Sequence, residues 1–139
     1  DSGHIVNVSS LAGWLGSRGL SAYCASKFGL RGFGMALAAD LEGTGVNVTN
    51  IYPGFSQTAI LDSPQFGYEE RRIVPEYLIS EPSDVVAQMI EGVRRNRLHV
   101  FPDKTARIIH YVARFTPWLL PVLDRRMQAE SIKAGKKAE

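Results

Sequence analysis

The order of apolar and polar positions divides the chain into strand-like and helix-like segments. His4–Ser9 is rich in β-branched residues and runs into the polar pair Ser9-Ser10, the pattern of a buried strand. Ser10–Leu20 carries Gly13, Gly16 and Gly19 and reads as a loop. Ala, Leu, Phe and Met dominate Ser21 to about Glu42, and Gly43 follows as a stop signal, so a long helix is expected there. Gly29, Gly32 and Gly34 are costly in an isolated helix, and a helix that carries them is expected to pack closely against another element. Val46–Tyr52 reads as a second strand, stopped by Pro53-Gly54. Phe55–Ser80, with Pro64, Gly67 and Pro75, reads as part loop and part short helix. Glu81-Pro82-Ser83-Asp84 opens another helix, with Ser83 as a cap and Val85, Val86, Met89, Ile90 and Val93 as its apolar stripe. Leu98–Phe101 is a short third strand, and residues 103–130 are helical in pattern, broken at Pro117 and Pro121.

Strand, helix, strand, lid-like segment, helix, strand is the order of an α/β fold with a parallel sheet and right-handed crossovers. Ligands on such sheets bind beyond the carboxyl ends of the strands. Those ends are Ser9-Ser10, Pro53-Gly54 and the residues after Phe101.

Composition narrows the class. A chain of 139 residues, 45% hydrophobic and 22% charged, suits one globular domain and excludes a disordered tail, a collagen-like fibre and a disulfide scaffold. The lone cysteine, Cys24, cannot form an internal disulfide, and the expected role is inert packing. No apolar run reaches the length of about eighteen residues that a spanning helix needs. No signal peptide is visible, and a cytoplasmic location is expected. Charge is uneven: residues 1–93 hold five basic and ten acidic residues, and residues 94–139 hold eleven and four, which together give the net +2. Residues 131–139 are expected to be a solvated, poorly ordered basic tail. No zinc-finger spacing or nucleic-acid signature occurs, and His4, His99 and His110 lack metal-ligand spacing, so neither nucleic acid nor metal is expected as a partner. The apolar residues of 103–130, interrupted by Arg107, Arg114, Arg125 and Arg126, read as packing over the core or against a second subunit, or as a peripheral membrane contact.

The candidate chemistry lies at the strand ends. Tyr23 and Lys27 are four apart at a helix start and share a face. An ammonium near a phenol favours the phenolate, which can exchange a proton with a substrate hydroxyl. Alone, such a pair is an ordinary helix contact worth about a few tenths of a kcal/mol. Here it has company. Ser10 ends the first strand thirteen residues before Tyr23, and its hydroxyl could bind the same substrate oxygen. The second strand ends in Pro53-Gly54, where glycine lets a flat ring approach the backbone, and Thr58 follows with a hydroxyl able to bind a carboxamide.

Asn7-Val8-Ser9-Ser10 with Ala12-Gly13, then Tyr23-Cys24-Ala25-Ser26-Lys27, then Pro53-Gly54 and Thr58, resemble the short-chain dehydrogenase/reductase family over about residues 3–60. The resemblance implies a partial doubly wound, Rossmann-like parallel sheet, comprising the last three strands and flanking helices of a C-terminal half. It divides the chain into 1–102, the C-terminal part of a catalytic domain with a lid at about 55–80; 103–130, a helical extension; and 131–139, the basic tail. The implied activity is NAD(P)-dependent interconversion of a secondary alcohol and a carbonyl by hydride transfer. Tyr23 would be general acid and base, Ser10 would stabilise the reacting oxygen, and Lys27 would hold the nicotinamide ribose and favour the Tyr23 phenolate. Asn7 and Ser9 would line the strand beneath the cofactor, Pro53 and Gly54 would flank the nicotinamide, and Thr58 would contact its carboxamide. Phe55, Ile60, Leu61, Phe66 and Tyr68 would make the lid apolar, suiting a lipophilic substrate. A homodimer or homotetramer is implied, with the helix from Ser21 in its interface.

The family's glycine-rich dinucleotide turn, the residue that chooses NAD or NADP, and its Asn-Asn-Ala-Gly stretch have no counterpart in this sequence. The chain is therefore expected to be part of a domain of about 250 residues. Its other reading is a non-catalytic fragment that acts only through subunit or partner contacts.

Overall fold

The computed structural model describes residues 2–62 and 72–137. In chain order the regular elements are β1 (Gly3–Val8), α1 (Ser21–Asp40), β2 (Val46–Ile51), β3 (Phe55–Ser56), β4 (Ile79–Ser80), α2 (Pro82–Arg94), β5 (His99–Val100), α3 (Lys104–Phe115) and α4 (Leu120–Lys137). β1, β2 and β5 form one parallel sheet in that order. β1 pairs with β2 from Gly3 opposite Val46 to Val8 opposite Ile51, and β2 pairs with β5 at Asn50–His99 and Ile51–Val100. The parallel α/β architecture expected from the alternation is therefore present.

Burial grades across the sheet. In β2, Val48, Thr49, Asn50 and Ile51 are all buried, and Tyr52 behind them is fully so. In β1, Ile5, Val6 and Val8 are 37%, 41% and 48% exposed, so the expectation of a buried strand is corrected. Among the described residues β1 has a strand neighbour on one side only, and this leaves apolar side chains without cover.

α1 lies against the sheet through one glycine. A Cβ on Gly34 would sit 1.8 Å from Oδ1 of Asn50, whereas Gly29 and Gly32 have nothing within 4 Å. Close packing, expected of all three, is thus confined to Gly34. α2 starts two residues earlier than a cap at Ser83 would place it. Its cap is Glu81, Pro82 occupies the first turn, and Ser83 lies inside the helix, not at the cap. Its apolar stripe is only partly covered, since Val85 is buried while Val86 and Ile90 are about half exposed. The close approach comes instead at Gly92, where a Cβ would meet Val100 of β5 at 2.3 Å.

The loop after β1 contains a short 3-10 turn, Leu11–Gly13, and it contributes to the core. Leu11 and Leu15 pack with Ala106 and Ile109 of α3, flanked by Phe101, Leu120 and Leu123. Pro117 opens a short turn between α3 and α4, as expected of a helix break. Pro121 does not break anything: it lies in the first turn of α4, where its missing N–H is no loss. α4 continues to Lys137, across most of the residues expected to form a basic tail.

The segment expected to form a lid holds a pair that the sequence did not suggest. β3 and β4 form a two-stranded parallel sheet, Phe55 opposite Ile79 and Ser56 opposite Ser80, with a short turn at Ala59–Asp62. Phe66 and Tyr68 lie outside the described residues. α4 fastens the loop after β1 and the second half of this segment. Asp124 accepts from Ser17 Oγ at 2.6 Å and Gln128 donates to the same hydroxyl at 2.9 Å, while Arg72 donates to Gln128 and Ser131 Oγ donates to the Ile73 carbonyl. No helix among the described residues is long and apolar enough to cross a membrane.

Candidate active site at the strand ends

The carboxyl ends of β1 and β2 are sewn together by backbone. Ser9 N–H donates to the Ile51 carbonyl and Leu11 N–H to the Pro53 carbonyl, both at 2.8 Å. The first turns of α1 then close over this ledge. Ser9 Oγ donates to the Lys27 carbonyl at 3.0 Å, and Lys27 Nζ donates to the Val8 carbonyl at 3.3 Å. Gly13 makes the approach possible, because a Cβ there would stand 2.9 Å from both the Lys27 carbonyl oxygen and Ser9 Oγ.

Within this frame Lys27 Nζ lies 5.5 Å from the centre of the Tyr23 ring. Tyr23 is 37% exposed, and its hydroxyl has no hydrogen-bond partner among the described residues. Ser10 caps the 3-10 turn, its Oγ accepting from Ala12 N–H at 3.1 Å. One backbone ledge thus carries Ser10, Tyr23 and Lys27, with Pro53 bonded to its edge.

Other residues expected at the site have different surroundings. Asn7 donates from Nδ2 to Asn50 Oδ1 at 3.0 Å, so its amide is engaged between β1 and β2 under Gly34 of α1. Ser9 is buried and holds α1 in place. Gly54 N–H donates to Asp103 Oδ2 at 2.7 Å, and a Cβ on Gly54 would meet the same carboxylate at 2.7 Å. The need for glycine at this position is thus accounted for by Asp103. Thr58 is exposed, its Oγ1 donating to the Ser56 carbonyl at 3.4 Å. Phe55 is half-buried in β3, while Ile60 is 64% exposed in the turn that follows. Among the described residues no group of three or more His, Cys, Asp or Glu could hold a metal ion.

Two supporting residues were not singled out from sequence. Asp103 is buried, caps α3 through Ala106 N–H at 2.8 Å and fixes Gly54 with its other oxygen. Its signal was present: an acidic residue just past a strand, before a helical pattern, is a cap by type. Asn50 is fully buried and joins Asn7, and only the pairing of the two strands reveals it. Behind the ledge, Tyr52 Oη is 2.9 Å from His99 Nδ1. Burial pushes the Tyr52 phenol up to about 12, opposed by the Arg31 guanidinium. Tyr52 is a core hydroxyl, unlike the open hydroxyl of Tyr23.

The family model for short chain dehydrogenases matches residues 1–65, the stretch that carries this ledge. Over those residues, nearly half of its length, the chain is similar to the short-chain dehydrogenase family. An uncharacterized oxidoreductase of Myxococcus xanthus is 43% identical to this chain over 105 residues, 75% of this chain and 38% of that protein. Human 17-beta-hydroxysteroid dehydrogenase 13 is 30% identical over 129 residues, 91% of this chain and 40% of that protein. The chain therefore spans about two fifths of the length of these relatives. A short chain dehydrogenase from Burkholderia cenocepacia, solved in complex with NADP, superposes with a TM-score of 0.70 at 18% identity, over 91% of this chain and 47% of that one. This likeness shows a shared Rossmann-type fold.

Proposed function

We propose that the full-length protein is an NAD(P)-dependent oxidoreductase that interconverts a secondary alcohol and a carbonyl. The observation that carries this reading is the Tyr23 hydroxyl, open and unpartnered, beside an ammonium pinned to the strand end. The donor set fits the nicotinamide end of a dinucleotide: Lys27 and Tyr23 would hold the ribose side, with Pro53, Gly54 and Thr58 near the ring and its carboxamide. When bound, that group supplies or accepts the hydride. In the reductive direction Tyr23 Oη gives its proton to the substrate oxygen, and Ser10 Oγ steadies the same oxygen. Lys27 Nζ, held beside the Tyr23 ring by the Val8 carbonyl, stays next to the reacting hydroxyl throughout. Reversal uses the same groups, with Tyr23 as base.

Apolar Phe55, Ile60 and Leu61 in the lid, and a hydroxysteroid dehydrogenase among the relatives, support a lipophilic substrate. The exposed β1 face supports a sheet that continues beyond β1 in the full-length protein. On α1, Phe28 and Phe33 are exposed, which supports a homo-oligomeric contact along that helix. Exposed Ile108, Phe115 and Trp118 support a peripheral membrane contact through 103–130. The cytoplasm, where Cys24 would stay a free thiol, is the location that goes with this reading.

The test is Tyr23→Phe in the full-length protein, assayed with NADH and NADPH against a panel of ketones. Turnover is expected to fall by about 10²- to 10⁴-fold while dinucleotide binding is kept. Turnover retained by the variant would overturn the mechanism.

A further inference from the structure

Behind the ledge, residues of α1, α2, β5 and α3 line a half-open cavity of about 510 Å³ that none of the residues assigned above to the reaction enters. Its size lies in the range of small-molecule pockets, about 300–1,000 Å³. Four guanidinium groups line it, those of Arg31, Arg97, Arg107 and Arg114, against the single carboxylate of Glu91. Glu91 is already engaged, its Oε1 accepting from Arg95 Nε at 2.5 Å. None of the four arginines has a carboxylate partner among the described residues. Arg31 and Arg107 donate to main-chain carbonyls, of Gly13 and Asp103, and Arg31 also stacks on the Trp14 ring.

The wall between the cations is flat and aromatic. Phe101 stacks on His110 with centroids 4.0 Å apart, and Trp14 stands edge-on to His110 at 4.7 Å. His110 Nδ1 is buried with no hydrogen-bond partner among the described residues. The basic charge is felt locally: burial, then Arg114 and Arg31, holds the His110 imidazole below its ordinary value. Four like charges gathered around one concave surface raise the local concentration of anions there. Guanidinium forks match the planar or tetrahedral oxygens of carboxylate and phosphate.

We propose that this cavity binds a small oxyanion carried on a flat apolar body, an aryl phosphate or aryl carboxylate, at a site separate from the strand-end ledge. The head group is held by Arg97, Arg107 and Arg114, and the flat body lies against Phe101, His110 and Trp14. The proposal goes beyond the oxidoreductase reading and does not depend on it, because its readout is binding and not turnover.

The experiment is calorimetric titration of the full-length protein with phenyl phosphate, benzoate and inorganic phosphate, each with and without saturating dinucleotide. Saturable one-to-one binding of phenyl phosphate or benzoate is expected, unchanged by the dinucleotide; the tighter of the two identifies the head group. Inorganic phosphate, lacking the flat body, is expected to bind about tenfold more weakly or worse. Arg97→Gln with Arg114→Gln, both at exposed positions, is expected to weaken binding by at least about tenfold, while Arg94→Gln with Arg126→Gln, outside the cavity, leaves it unchanged. The proposal is overturned by an absence of saturable binding up to about 10 mM, by competition from the dinucleotide, or by equal losses in the two double variants. It is also overturned if the Arg97/Arg114 variant changes the sedimentation mass while no probe binds, since a second copy would then be the occupant.

Discussion

Helix α1 holds two cations over two rings, one helical turn apart. Lys27 lies 5.5 Å from the Tyr23 ring centre and Arg31 lies 3.3 Å from that of Trp14. Both also donate to main-chain carbonyls around the end of β1, Lys27 to Val8 and Arg31 to Gly13. The rings set the pairs apart. Tyr23 is open, with a titratable hydroxyl that nothing in the described chain occupies. Trp14 is packed edge-on against Tyr52, Phe101 and His110 and carries no titratable group. The cations match their rings: a compact ammonium on a flexible stem can serve a reacting oxygen, whereas a planar, always-charged guanidinium stacks. A similar arrangement thus carries the pair proposed to be reactive on the open side and a packed, structural pair on the closed side.

Substituting each cation by an apolar residue of similar length tests this division most severely. In the full-length protein Lys27→Met is expected to reduce turnover by about 10²- to 10⁴-fold with little change in melting temperature. Arg31→Met is expected to do the reverse, lowering stability by about 1–2 kcal/mol through loss of the Trp14 stack. If both variants lose turnover alike, or both melt early, the two pairs do not differ in kind.

Next in size is the shared support. Both pairs depend on the seat of α1 against Asn50, where Gly34 leaves no room for a side chain. Gly34→Val is expected to cost about 3 kcal/mol in a denaturant titration, because backbone or strand must shift to admit it. Gly29→Ala, with open space around it, should be neutral or slightly stabilising. A mild Gly34→Val would mean that α1 can slide without harm.

The smallest effect concerns pH and touches only the closed side. Burial, then Arg31 and His110, holds His99 below the ordinary 6.5, and burial, then Arg114 and Arg31, does the same to His110. Between the depressed folded values and 6.5 the unfolded chain binds protons that the native chain does not. Stability from these groups is therefore complete above pH 6.5 and is lost as pH falls through the folded values. Denaturation midpoints near pH 7.5 and near pH 5.5 should differ in that direction, and His110→Gln should shrink the difference. A difference that the variant leaves untouched would assign it to other groups.

Sequence alone exposed the open side well and the closed side hardly at all. Ser10, Tyr23 and Lys27 are close enough along the chain for spacing to bring them to one ledge, and Pro53-Gly54 marks the next strand end by composition. The closed side is assembled from residues 14, 31, 97, 107 and 114, whose proximity depends on both crossovers being in place. No local pattern reports that. In β1 the β-branched residues announced a strand, and it was the missing family strands, not the strand's own pattern, that marked Ile5–Val8 as a sheet edge. The same limit explains β3 and β4, two residues each and 24 positions apart, too short to leave a period. Proline was over-read at 121 because its effect depends on position within a helix, and the first turn tolerates it.

The hydrogen bonds between α4 and Ser17 have a consequence for the order of assembly. Asp124 and Gln128 are 107 and 111 residues from the serine they hold. During synthesis the sheet, the ledge and α1 are all complete before either partner exists. The loop that leads from Ser10 to Tyr23 therefore acquires its final fastening only when the last described helix arrives, and contacts of such long span are slow to close. A polypeptide interrupted before residue 124 would contain every residue of the reactive pair yet leave the Ser17 hydroxyl without Asp124 and Gln128.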